Sequence, residues 1–380
     1  MNREGSSSAG PAHHLVLVGG GHSHVEVLRR WALDPAPGAR LSVISDSARA
    51  VYTGMVPGYV AGQYSLAEIE IDVERLAHRS GAQWIETTAT GLDVRSRRLQ
   101  LRQGAPIAYD TISFDVGSTV SDLDRPGVLE HTLPTRPIGM FARRVEAVLA
   151  RIRRRPSCRL VVVGAGAGGV ELACAFRARL NRLGLPGASV TLLERGSRIL
   201  PGYPGSAARR IERHAAAHRI ETRCQVSVAR AEDERLVLES GESVPCDAVV
   251  WVTGSASVSL FDGSALERDE RGFVKVRATL QTVGHDEIFA SGDCASLLAD
   301  PRLPKAGVYA VRQGPILASN LRARIVGERL RPYRPQRDFL SLLNLADGRA
   351  VASKWGLSAE GRWAWRLKDA IDRRFVRRYQ

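Results

Sequence analysis

The chain has 380 residues, 44% of them hydrophobic and 25% charged, which is ordinary for a soluble globular protein of two or three domains. It contains no apolar run of the roughly 18 residues that a bilayer-spanning helix needs. Of the formal net charge of +14, eight charges fall between Arg329 and Gln380, where thirteen lysines and arginines face five acids.

The first residues, MNREGSSSAGPAHH, are polar and lack the apolar core of a signal peptide. Leu15 to Val18 reads as a buried strand running into Gly19-Gly20-Gly21-His22-Ser23-His24. That run is a Gly-x-Gly-x-x-Gly fingerprint with histidine in the third glycine's place, and His24 reads as packing where glycine would. A helix is expected from about Val25 to Trp31, broken by Pro35-Ala36-Pro37-Gly38. Leu41 to Ile44 is the second strand, followed by Ser45 and Asp46. Tyr52 to Gly62 reads as a loop with a short helix, Ile69 to Arg79 as a helix and Ala82 to Ile85 as a strand. Gly91 to Phe114 is β-rich. Pro126, Pro134 and Pro137 mark a linker before a helical stretch from Ile138 to Arg154.

The strongest local pattern comes next. Leu160 to Val163 is a strand, Gly164-x-Gly166-x-x-Gly169 turns the chain into a helix opening with Val170 and Glu171, and Val190 to Leu193 is a strand ending on Glu194. The three glycines serve a tight turn, room for a pyrophosphate, and close helix–strand packing. The free N–H groups at the helix start face an anion. A carboxylate at Glu194 suits the ribose hydroxyls of an adenosine and repels a 2′-phosphate, which favours NADH over NADPH, although Arg195 and Arg198 stand close by.

Beyond it, Ala207 to His218 reads as a helix and Glu221 to Val244 as meandering strands. The apolar strand Ala248 to Val252 runs into Thr253-Gly254, and more strands follow near Phe273 to Thr282. Ile288-Phe289-Ala290 leads to Ser291-Gly292-Asp293. Gly307 to Ile325 has helical spacing, Phe339 to Ala352 alternates like strands, and Trp363 to Tyr379 is a basic helix with Trp363, Leu367, Ile371 and Phe375 on one face. Its tryptophan and arginines suit a lipid headgroup region; packing on its own domain or in a homodimer is the alternative. No nucleic-acid reader module accompanies the basic tail, so no nucleic-acid partner is expected. The five cysteines, Cys158, Cys174, Cys224, Cys246 and Cys294, form no C-x-x-C pair and no metal-ligand spacing. No metal is expected, and the thiols read as reduced in a cytoplasmic protein.

Two dinucleotide fingerprints in one chain suggest a flavin and a nicotinamide whose rings meet. With Phe289-Ala290-Ser291-Gly292-Asp293 following late, the chain resembles the pyridine nucleotide–disulfide oxidoreductase superfamily of two-dinucleotide-binding-domain flavoproteins. It is most similar to the branch of type II NADH dehydrogenases and sulfide:quinone reductases. Within that branch it looks like the NADH-dehydrogenase-like proteins associated with selenide, water dikinase. The residues carrying this are Val18 to Val27, Tyr52 to Gly58, Phe114 to Ser118, Pro304 to Gly314 and Lys368 to Phe375.

The resemblance implies an α/β fold of two Rossmann-like three-layer domains plus a small α+β C-terminal region. Residues 1–125 and 247–328 would form a discontinuous FAD-binding domain, 126–246 the NAD(P)H-binding domain and 329–380 the C-terminal region. FAD would lie on Gly19, Gly21, His22, Ser23 and His24, with Asp46 on the ribose and Gly292 and Asp293 at the ribityl chain. NADH would lie on Gly164, Gly166, Gly169 and Glu194, and Gly254 joins the cofactor-binding set. Catalytic roles fall to Glu171 near the nicotinamide, Lys305 at the flavin edge and Gln313 at an acceptor carbonyl. No cysteine lies between Val51 and Val60, so no thiol relay is expected at the flavin. A quinone-like acceptor fits best, with peripheral contact on the inner membrane face through the last helix. The alternative is a flavin reductase or partner flavoprotein acting in selenium metabolism with selenide, water dikinase.

Overall fold

The computed structural model describes residues 12–155 and 157–380; most of the polar start, residues 1–11, lies outside them. Two five-stranded parallel sheets organise the molecule. In the first, β1 (His13–Val18) is central, with β2 (Ala39–Ser45) on one side and β4 (Thr111–Phe114) on the other. β3 (Gln83–Glu86) extends it beyond β2, and a late strand, Ile288–Ala290, extends it beyond β4. Leu15 to Val18 are buried because helices cover both faces, which is why the strand is apolar without alternation.

The second sheet repeats the plan. Its centre is β6 (Arg159–Val163), flanked by β7 (Ser189–Leu193) and β9 (Ala248–Trp251), with β8 (Ile220–Arg223) and the short β5 (Leu133–Pro134) at the edges. The boundary drawn at 246/247 therefore needs correction. Ala248–Trp251 pairs with the second fingerprint strand, not with the first sheet. An apolar strand reads the same whichever sheet it joins, so the sequence pattern did not distinguish them. The chain crosses between the units twice, and the crossings pair with each other as an antiparallel ladder of Thr119–Val120 with Ser255–Ala256.

In each unit a helix follows the fingerprint strand: α1 (His22–Trp31) after β1, and α4 (Ala167–Arg182) after β6. Between them lie the short α2 (Val56–Val60) and α3 (Ile138–Ile152), and after them α5 (Gly205–Ala217) and α6 (Gly307–Val326). α1 packs along α6, and Gly314 allows it: a Cβ there would come within 2.9 Å of the Glu26 Cβ. The expected helix over Ile69 to Arg79 is instead interrupted by a strand, Glu70–Asp72, which pairs with Arg49–Val51. Asp72 ends that strand and caps the next helix by accepting from the Arg75 N–H at 2.9 Å.

Three antiparallel strands, β10 (Ser341–Asn344), β11 (Ala350–Lys354) and β12 (Leu357–Gly361), precede the last helix, α7 (Arg362–Arg377). α7 lies against this sheet and against the first unit. Among the described residues no helix is long and apolar enough to cross a membrane.

Candidate functional site: two glycine-rich cradles

β1 ends at Val18, and Gly19 turns the chain at a φ of +93°, where an L side chain is strained and a Cβ would lie 2.4 Å from the Asp115 carbonyl. A Cβ on Gly21 would lie 2.3 Å from the Asp115 carboxyl carbon. The Asp115 carboxylate accepts from the N–H groups of Ser23 at 2.7 Å and His24 at 3.2 Å, at the start of α1. Burial, helped by the Asp293 carboxylate, pushes Asp115 up to about 7 against the pull of those two N–H groups.

His24 is fully buried, with Nδ1 2.7 Å from the Gly19 carbonyl and Nε2 2.9 Å from Ser113 Oγ. A carbonyl only accepts, so Nδ1 carries the proton and Nε2 accepts from the hydroxyl. Burial lowers its pKa to about 4, so the ring is neutral. It braces helix against strand where the other copy uses glycine.

His22 packs beside the stacked pair of Tyr52 and Phe375, with centroids at 5.4 and 5.9 Å, and its Nε2 is buried without a partner. The hydroxyl of Ser291, next to Gly292, is likewise buried and unpartnered. Two orphaned polar atoms beside a glycine-lined turn fit a bound polar group such as the FAD expected on this cradle. Asp293 lies 3.2 Å from an Arg136 nitrogen and accepts from Ser118 Oγ at 3.3 Å. Arg136 also bonds Ser118 and Ser255. Asp46 is exposed one residue beyond the end of β2.

Gln313 and Lys305 are placed differently from their expected roles. Gln313 is 2% exposed, and its amide oxygen accepts from the Gly292 N–H at 2.6 Å, so it holds the turn that carries Asp293. Lys305 sits with Gly292 and Asp293 in a small cleft. Its ammonium donates to the Ala295 carbonyl and lies 4.0 Å from the Phe273 ring centre. Burial lowers its pKa. The Cys294 thiol is buried against the Ser291 carbonyl and pushed up to about 12 by burial, which fits a packing role.

The second cradle is plainer. Gly164 turns at a φ of +105° against the Val252 carbonyl, Gly166 has open space where a Cβ would go, and a Cβ on Gly169 would lie 1.8 Å from the Gly164 carbonyl oxygen. Glu194 accepts from the N–H groups of Ala165 at 2.8 Å and Gly196 at 2.7 Å, which fixes the carboxylate at the mouth of the loop. Arg198 is turned onto the carbonyls of Pro201 and Tyr203, at 2.9 and 3.0 Å. The open loop and fixed acid fit an NADH pyrophosphate and ribose. Gly254 lies at the crossing between units, its carbonyl accepting from Ser121 N–H at 2.6 Å.

Glu171, in the second turn of α4, accepts from the Asn344 N–H at 2.8 Å, and burial raises it to about 7 despite the nearby Lys368 ammonium. Lys368, on α7, donates to the Gly54 carbonyl and to Asp372, both at 2.6 Å, and Tyr52 donates to Asp372 at 3.2 Å. Asn344 donates to Gln63 at 2.7 Å. The site around Glu171 is thus closed by the Tyr52–Gln63 loop and the C-terminal region together. Lys368, Asp372, Asn344, Arg136 and Asp115 had no assigned role from sequence. Three of them lie inside runs that carried the resemblance, and that was their only signal.

The sequence model of the family described as "Pyridine nucleotide-disulphide oxidoreductase" matches residues 13–314. The chain is 25% identical over 324 residues to the NADH dehydrogenase-like protein YutJ of Bacillus subtilis, across 85% of this chain and 86% of that one. It is 28% identical over 302 residues to the demethylphylloquinone reductase NdbB of Synechocystis, across 76% of this chain and 72% of that one. The solved structure of NDH2 from Plasmodium falciparum in complex with NADH superposes with a TM-score of 0.81 over 97% of both chains, at 12% identity, a likeness of fold.

Proposed function

This chain belongs to the pyridine nucleotide-disulphide oxidoreductase family, and from that premise we propose that it is an FAD-dependent NADH dehydrogenase delivering two electrons to a quinone-like acceptor. The observation that carries this is the pair of glycine-rich cradles on two parallel sheets of like plan, with Glu171 on the helix that follows the second and the described cysteines unpaired. A bound FAD supplies a two-electron relay between a nicotinamide donor and the acceptor.

The chain's own residues do the rest. Gly19 and Gly21 leave the backbone room to approach a pyrophosphate, and Gly292 and Asp293 present a carboxylate to the ribityl chain. Gly164, Gly166 and Gly169 hold the NADH pyrophosphate, and Glu194 holds the ribose and disfavours a 2′-phosphate. Glu171, held near half-protonation at neutral pH, orients the nicotinamide and is placed to exchange a proton. Lys305 supplies positive charge beside Asp293. Relatives named as a demethylphylloquinone reductase and as type II NADH:quinone oxidoreductases support the acceptor class. No feature of the site favours the selenium-linked reading or a partnership with selenide, water dikinase.

Peripheral membrane contact is part of the proposal. α7 docks through Ala364, Val376, the partly buried Phe375 and the Lys368–Asp372 pair, leaving Trp363, Leu367 and Ile371 at 52%, 38% and 46% exposure, with Trp355 and Leu357 exposed on the adjoining hairpin. Arg362, Arg366 and Arg374 are exposed on the same helix. Apolar area ringed by arginine suits an anionic bilayer surface. Flotation with anionic vesicles, lost in Leu367→Glu/Ile371→Glu, would support it; equal flotation of both proteins would exclude it.

The deciding experiment is anaerobic. The purified protein should be yellow, bleach with NADH and recolour with a soluble quinone. Protein that fails to bleach with either NADH or NADPH overturns the proposal.

A further inference from the structure

Asp115 and Val252 occupy the same place in the two cradles. Each is the first residue after the strand that flanks the fingerprint strand, and each sets its carbonyl oxygen close to where a Cβ on the first glycine would be, at 2.4 and 2.7 Å. Val252 sets its methyl groups under Gly168 and Gly169, at 3.6 and 3.2 Å from where their Cβ atoms would be. Asp115 sets a carboxylate there instead. That carboxylate is 4% exposed and holds two of the helix-start N–H groups that an incoming pyrophosphate needs.

We propose that Asp115 makes the first cradle proton-coupled: it caps α1 as a carboxylate in the empty protein and is held as the neutral acid when a dinucleotide pyrophosphate sits there, so that FAD binds with uptake of one proton from solvent. The proposal rests on the assignment of the first cradle to FAD. Its physical basis is the crowding of like charges. A carboxylate and a pyrophosphate drawn to the same N–H groups repel strongly where water is excluded, and protonating the weaker acid removes the repulsion. As an acid, Asp115 also gains an O–H that a phosphate oxygen accepts.

The groups around it leave Asp115 as the one that titrates near neutrality. His22 and His24 on α1 are neutral, both lowered to about 4 by burial. Cys294 is raised to about 12 by burial. Asp293, the other carboxylate facing it, is paired with Arg136. Burial already brings Asp115 up to about 7.

The test dilutes the holoenzyme at a series of pH values and reads released FAD by its fluorescence, with NADH affinity measured alongside. The dissociation constant for FAD should be level at low pH and then rise about tenfold per pH unit above pH 8, the limit for one linked proton. Release above that pH should also set free one proton per FAD, read with an indicator dye. NADH affinity should not follow the same curve. Asp115→Asn, and Asp115→Val copied from the other cradle, should bind FAD with a flat profile. A flat profile in the unmodified protein, or an undiminished slope in Asp115→Asn, overturns the proposal while leaving the FAD assignment standing. Protein that holds no FAD at any pH overturns that assignment and this proposal with it. Should either variant fold poorly, the profile and proton release of the unmodified protein decide the matter.

Discussion

Glu26 and Glu171 stand at the same position of the two repeats, two residues after His24 in one and Gly169 in the other. Each is in the second turn of its helix, yet they are held in opposite states. Glu26 is 1% exposed, and although burial pushes it up, Arg29 and Arg30 hold its carboxyl down to about 2, with Tyr379 donating at 3.0 Å. Glu171 has one backbone N–H and a lysine that is already engaged by Asp372, and burial leaves it near 7. The duplicated scaffold therefore does not dictate what its residues do. Their neighbours do: two arginines one turn along the same helix hold Glu26 ionised, whereas Glu171 is buried with one N–H and a shared lysine from the C-terminal region.

The comparison can be broken most sharply at the second cradle. Gly169→Val forces a side chain into a gap already closed by the Gly164 carbonyl at 1.8 Å. It should abolish flavin bleaching by NADH, a loss of about 100-fold or more in NADH affinity by analogy with misplaced binding geometry, while the protein stays yellow. Normal bleaching would mean that the donor binds elsewhere.

Glu171→Gln comes next. It should lower turnover about ten- to a hundredfold and remove an inflection near pH 7, because the native group is protonated below that pH and ionised above it. A pH profile that keeps its inflection would remove Glu171 from the proton step.

Glu26→Gln tests the opposite behaviour. It leaves Arg29, Arg30 and Arg378 without their shared carboxylate and should cost about 2–3 kcal/mol of stability, seen as a lower calorimetric midpoint at pH 7 with the activity profile unmoved. The sign follows from its depressed pKa: this stabilisation is full above about pH 4.3 and is lost as the pH falls through about 2. Glu171, whose folded pKa is raised, opposes folding increasingly as the pH rises from about 4.3 to its folded value of about 7.

The smallest expected effect is at Glu194. Glu194→Ala should narrow the preference for NADH over NADPH by about tenfold, the worth of one like-charge contact removed, read as the ratio of kcat/KM for the two donors. An unchanged ratio would place donor selection elsewhere.

Much of this was legible in the sequence. The second cradle reads almost completely, because strand, glycine spacing, helix and Glu194 lie within one contiguous stretch whose geometry is local. The first cradle reads as a fingerprint but not as a mechanism. His24 shows as a missing glycine, while its partners Gly19 and Ser113 emerge only once β4 is laid beside β1. Asp115 sits in the Phe114 to Ser118 run that marked the resemblance, yet nothing local says that its carboxylate reaches Ser23, 92 residues earlier. Lys368 and Asp372 are further removed, since their contacts with Gly54 and Tyr52 cross more than 300 residues of chain. The turn role of Gln313 depends on its amide meeting the Gly292 N–H, which no spacing encodes.

The ladder between Thr119–Val120 and Ser255–Ala256 has a consequence for how such a molecule is assembled and rebuilt. Everything between those two short segments leaves and returns through one doorway, about 5 Å wide, the spacing of neighbouring strands. A donor-binding module of different preference, cut at the same two points, would find its ends already side by side and would leave the flavin-bearing half with its own ends undisturbed. Such a swap would keep its footing where the new module also met the Asn344 N–H as Glu171 does and the Ala61 carbonyl as Arg182 does.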